Sequence, residues 1–105
     1  MRFAVFASVL LFVPAVDARA ETKSLMLTNR SGEAVTAIAA HERNNPEAVI
    51  ATTLDAAIAN NETAFFTLDL PGGACLADLI YTLSSNNLTT QSGVDVCNLD
   101  GVVVE

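Results

Sequence analysis

Positive charge is scarce in this chain. Only five of its 105 residues are Lys or Arg, against twelve Asp or Glu, and beyond residue 20 the cations are Lys23, Arg30 and Arg43 alone. Such a surface repels phosphate backbones, which excludes nucleic acid as a partner and disfavours anionic membrane surfaces. Histidine is reduced to His41 and cysteine to Cys75 and Cys97. A zinc site draws about four N, S or O ligands, typically from His and Cys, so one His and two bridged cysteines argue against it. No apolar run reaches the roughly 20 residues of a membrane-spanning helix. The chain has no Gly-rich phosphate loop, no nucleophile-elbow motif, no internal repeat and no low-complexity tract. Asn98-Leu99-Asp100-Gly101 matches part of a calcium loop, but Val96 stands where that loop needs Asp and its closing Glu has no counterpart. That stretch reads as a turn. No cofactor or metal is expected.

What is present begins with an export signal. Arg2 supplies a short positive region, Phe3 to Val13 is an uncharged apolar run of 11 residues, and Ala18-Arg19-Ala20 offers small residues at a cleavage site. The alternative, a buried N-terminal helix, fits less well because no position on the run is polar enough to face water. Cleavage before Glu21 leaves 85 residues carrying 11 acids and three bases, scattered as a solubilising surface would have them. No cysteine lies near the cleavage point, so no lipid anchor or other stable membrane anchor is expected after cleavage. The expected location is the periplasm or the medium. Export compartments are oxidising, which favours a disulfide, and two cysteines allow one intramolecular pairing, Cys75–Cys97. Two free buried thiols, or an intermolecular bridge, are the alternatives. Closing that loop is worth roughly 3 kcal/mol in the chain-entropy model, a large share of the stability of a small domain.

Alternation dominates the rest. Lys23 to Arg30 reads as a strand with Leu25 and Leu27 on one face; after a Ser31-Gly32 turn, Glu33 to His41 resumes as a second strand, and the two read as a hairpin. Asn44-Asn45-Pro46-Glu47 has the chemistry of a helix start, and Ile50, Leu54 and Ile58 recur every four residues. A short helix is expected there, ending at Asn60-Asn61, with a single turn and a strand at Ala56 to Ala59 as the alternative. Thr63 to Leu70 is a strand with Ala64, Phe66, Leu68 and Leu70 pointing one way. Pro71-Gly72-Gly73 turns the chain into Cys75 to Ser84, the expected central strand, with Cys75, Ala77, Leu79, Tyr81 and Leu83 on its core face. Leu88 to Gln91 and Gly93 to Leu99 read as two short strands and Val102 to Glu105 as a closing one. Asn pairs at 44–45, 60–61 and 86–87 mark element boundaries, since Asn tolerates left-handed backbone. The expectation is a mainly β protein: residues 21–105 as one small antiparallel β-sandwich or barrel of about seven strands, with one short helix and one disulfide.

Three segments carry a resemblance. Leu27-Thr28-Asn29-Arg30-Ser31-Gly32-Glu33-Ala34-Val35-Thr36, Cys75-Leu76-Ala77-Asp78-Leu79 and Gly93-Val94-Asp95-Val96-Cys97 occur in that order. The chain thereby resembles a group of small exported bacterial proteins of unknown function. Those have a strand, an Asn-x-Ser/Thr-Gly turn, a second strand, a Cys-x-x-Asp strand and a closing segment with a second Cys. The group commonly carries Trp after its second strand and between its Cys and Asp; this chain has no Trp, and Ala77 stands at the second position. The resemblance implies a secreted β-rich domain with a disulfide and supplies no catalytic residues to carry over.

Asp78 is the main candidate residue. It is either a surface acid on the outer face of its strand or a buried structural or binding acid, which must then accept hydrogen bonds from backbone N–H groups or an Arg. His41 reads as a solvated strand end; a Ser–His–Asp triad could be assembled around it on paper with Ser31, Ser84 or Ser92, with no motif to support one. The expected function is a non-enzymatic exported interaction module with a protein or glycan partner. The alternative is an inhibitor of a basic hydrolase such as lysozyme, steered by the acidic surface.

Overall fold

The computed structural model describes residues 21–105; the expected signal, residues 1–20, lies outside them. Seven strands follow in chain order: β1 (Glu21–Asn29), β2 (Val35–Glu42), β3 (Asn45–Thr53), β4 (Thr63–Leu70), β5 (Leu76–Leu83), β6 (Leu88–Asp95) and β7 (Gly101–Val104). They hydrogen-bond in the order β6-β5-β2-β3-β4-β1-β7. The result is one sheet curled into a half-barrel. Its pairs are antiparallel except β1 with β7, which run parallel, a departure from the expected all-antiparallel arrangement.

Strand β3 is where the sheet turns. Ala40 and His41 of β2 pair with Ile50 and Val49, whereas Ala51, Thr52 and Thr53 pair with β4. The expected helix is therefore absent: Asn45 to Thr53 is extended. A repeat of four is close to the helical period but is also twice the strand period, so Ile50 can sit in the core without a helix. Val49, Thr52 and Thr53 are β-branched and favour the extended form. Pro46 falls where the register slips between the Glu42–Asn45 and His41–Val49 pairs, so its missing N–H costs no ladder bond.

The expected β1–β2 hairpin also fails. The two strands are separated by β3 and β4, and residues 30–34 cross over rather than fold back. The 54–62 segment lies along this crossover: Val35 and Ile58 exchange two backbone hydrogen bonds of 2.9 Å each, Asn29 N donates to Glu62 O, and Asn61 N donates to Asn29 O. Asn29, fully buried, ties the crossing together. Its Nδ2 donates to Glu33 O at 2.7 Å and Ile58 O at 2.8 Å, and its Oδ1 accepts from Ser31 N and Ser31 Oγ.

The concave face holds the core. Leu25 and Leu27 of β1, Phe66, Leu68 and Leu70 of β4, and Ala77, Leu79, Tyr81 and Leu83 of β5 alternate into it, joined by Ile50, Ile58, Val96, Val102 and Val104. In β2 a bulge at Thr36 shifts the alternation, which lets Val35 and Ile38 both point inward. The two short strands expected at 88–91 and 93–99 are one strand, β6, bulged at Ser92-Gly93, followed by a turn. At the open seam one side chain links the two edge strands. Tyr81 Oη donates to Gln91 Oε1 at 2.7 Å, and Gln91 Nε2 donates to Val103 O at 2.6 Å. Burial pushes the Tyr81 hydroxyl pKa up. At the start of β7 only glycine fits position 101, since a Cβ there would lie 2.6 Å from Met26 O of β1.

Candidate functional site

The outer face of β5 carries Asp78, and neighbouring segments bury it to 7% exposure. Two backbone donors reach it. Gly93 N donates to Oδ1 at 2.8 Å, and Asn44 N, from the β2–β3 turn, donates to Oδ2 at 3.2 Å. Both donors come from backbone that only special residues adopt. Gly93 and Asn44 have φ of +64° and +59°, and the bulge that places Ser92 and Gly93 opposite Asp78 frees the Gly93 N–H from the ladder. Gly93 also lies under Arg43, whose Nε would be 3.4 Å from a Cβ there. Asp78 is thus a clip between a turn and a bulge on opposite sides of its strand.

The electrostatics agree with that arrangement. Hydrogen bonds from Gly93 and Asn44 hold the Asp78 carboxyl below the usual carboxylate range, outweighing its desolvation, with smaller help from His41 and Arg43. A depressed carboxyl stabilises the fold above its unfolded pKa, and that contribution disappears as pH falls through the lower folded value. Asp78→Asn replaces one acceptor with a donor that faces an N–H. The expected result is a lower melting temperature at pH 7, with the gap from wild type closing below about pH 4. Thermal melts of both proteins across pH 2 to 7 check this; a gap independent of pH would mean that the carboxylate charge is irrelevant.

His41 pairs with Asp78 across β2 and β5. Its Nδ1 lies 2.8 Å from Glu42 O and 3.7 Å from Asp78 Oδ2. A carbonyl only accepts, so Nδ1 carries the proton and donates it to Glu42 O. Ser31 and Ser84 sit at the far end of the β2–β5 ladder, about 20 Å away along the strands. They are engaged elsewhere, Ser31 Oγ with Asn29 and Glu33 O, and Ser84 Oγ with Glu33 Oε1. Ser92 lies in the bulge facing Asp78, with no hydrogen bond to His41 among the described residues. His41 and Asp78 are brought together, then, but the serines do not complete a triad. Among the described residues no three His, Cys, Asp or Glu side chains converge as a metal site.

Cys75 and Cys97 form the disulfide, with Cα atoms 5.1 Å apart. It staples the entry of β5 to the β6–β7 loop, and Val96 N donates to Cys75 O beside it. A shallow open hollow next to it is lined by Glu42, Arg43, Gly73, Ala74, Cys75 and Leu76.

A second surface was not foreseen from sequence. Met26 and Phe65 are cross-strand partners on the convex face of β1 and β4, and Val103 of β7 lies opposite Thr28 on the same face. All three are exposed, Phe65 to 65%. The signal was present as apolar residues on the wrong parity of otherwise clean alternations. No protein-family model matches the chain, and the comparisons with curated proteins and with solved structures found no match.

Proposed function

We propose that this protein is an exported, non-enzymatic interaction module whose contact surface is the convex face around Phe65. The observation that carries this reading is the contiguous apolar strip Met26–Phe65–Val103 on three adjacent strands. Large side chains left out of a small core in one patch mark an interaction site more often than scattered ones do. Export is supported by the disulfide, which is compatible with an extracellular or periplasmic location, and by the sequence of residues 1–20. The non-enzymatic part rests on the uses of His41 and Asp78, whose polar atoms hold backbone groups. The resemblance to small exported bacterial proteins points the same way.

The test is affinity capture with tagged protein in periplasm or medium, run beside a Phe65→Ser variant. A protein or glycan retained by wild type and lost by about tenfold from the variant is the expected result. Retention indifferent to Phe65, or no partner alongside a reproducible turnover activity, would overturn the reading. A narrower form, an inhibitor of a basic hydrolase, is favoured by the surplus of 11 acids over three bases beyond residue 20. Lysozyme turnover unchanged at large molar excess of this protein excludes that enzyme as the target.

A further inference from the structure

We infer that the Phe65 surface takes a cationic partner: a protein segment presenting an apolar side chain next to Arg or Lys. This rests on the interaction-module reading and specifies its partner. The apolar strip runs into an open hollow whose lining includes Leu54, Asp55, Ala57, Glu62 and Phe65. Leu54 and the small side chains of Ala57 and Ala64 add apolar atoms to its lining beside Phe65. The rim is acidic. Glu62 spends Oε1 on Ala59 N at 2.9 Å, which leaves its other oxygen to accept, and no described hydrogen bond engages the Asp55 carboxylate. No basic residue lines the hollow; Lys23 of β1 spends its Nζ on Cys97 O, and no described ion pair joins Arg30, just beyond β1, to Asp55 or Glu62. An incoming guanidinium or ammonium therefore meets the Asp55 and Glu62 carboxylates, while its apolar neighbour covers the exposed Phe65 and Met26. An acidic partner would be repelled by the same rim.

Isotope-labelled, oxidised protein titrated with two defined peptides tests this, one alternating Arg with Leu and one alternating Glu with Leu. Amide shifts confined to residues 54–65, Met26 and Val103 are expected with the Arg peptide only. Asp55→Asn with Glu62→Gln should weaken binding about fivefold, and Phe65→Ser about tenfold, with the remaining spectrum unchanged. Equal shifts from both peptides, shifts spread over every exposed acid, or concentration-dependent shifts at this face without peptide, which would mean a second copy covers it, would each overturn the inference. The two readings fail separately. A captured partner that needs Phe65 but presents an acidic surface defeats only the charge assignment. Peptide binding at the hollow together with capture indifferent to Phe65 defeats the interaction-module reading itself.

Discussion

Cys75→Ser with Cys97→Ser should destabilise the protein by about 3 kcal/mol, the chain-entropy cost of releasing a loop of this length. In a domain this small that corresponds to a fall in melting temperature of about 15 °C. The loss should be uneven. The staple holds the loop that carries the chain from β6 to β7, the two edges of the sheet. β7 has four residues, Gly101–Val104, and pairs with one neighbour, β1. Without the bridge its amides should exchange fastest, ahead of β4 and β5. Thermal melts with and without reductant, with amide exchange on both forms, measure this. Matching melts, or uniform loss of protection, would mean that the half-barrel closes without the staple.

The second large effect is expected at Asn29. Its amide group donates twice and accepts twice with no exposure to solvent. Asn29→Ala removes all four bonds, but Ile58 O keeps Val35 N, and the Ser31 hydroxyl, released from Asn29 Oδ1, turns its one proton to Glu33 O. The cost should therefore be about 2–4 kcal/mol rather than the full penalty of several orphaned groups. Asn29→Asp is nearly isosteric and should still be worse at pH 7, because a buried carboxylate then faces two carbonyl oxygens that can only accept. Urea unfolding ranks the three proteins; Asp tolerated better than Ala would show that the crossover does not depend on these donors. Asn29 also stands in an Asn-x-Ser triplet, as Asn61 and Asn87 head Asn-x-Thr triplets, yet its burial closes it to modification once folded.

Much of the fold was legible where one residue type answers to one local demand. Among the described residues, the three non-glycine positions with positive φ, Asn44, Asn61 and Asn86, all lie in the Asn doublets that mark boundaries. Thr63–Leu70 is a strand with the expected face buried, and the alternation over β5 places Ala77, Leu79, Tyr81 and Leu83 in the core, although Cys75 lies half-buried just before that strand and β5 sits beside the edge strand β6 rather than at the centre of the sheet. The sequence is ambiguous where one pattern fits two structures. The four-residue recurrence from Ile50 to Ile58 suits a helix or a strand, and only packing on β2 and β4 selects the strand. The count of seven strands agrees with expectation partly by exchange, one gained at β3 and one lost when the two segments of β6 merged. Ser92-Gly93 inside an alternating run was the available sign of that bulge.

By itself, the sequence determined the chain's acidity, its two cysteines, its alternations and its turns, because these depend on composition and on residues within a few positions of each other. Tertiary structure decided adjacency. The Ser31-Gly32 turn reads the same in a hairpin and in a crossover, and only the pairing of β1 with β4 and β7 distinguishes them. The same holds for Asp78: its residue type allowed a surface acid or a buried acceptor, and the arrival of Asn44 and Gly93 from elsewhere in the chain made it the acceptor. The convex strip follows the same logic, since Met26, Phe65 and Val103 are distant in sequence and become one surface only when β4, β1 and β7 lie side by side.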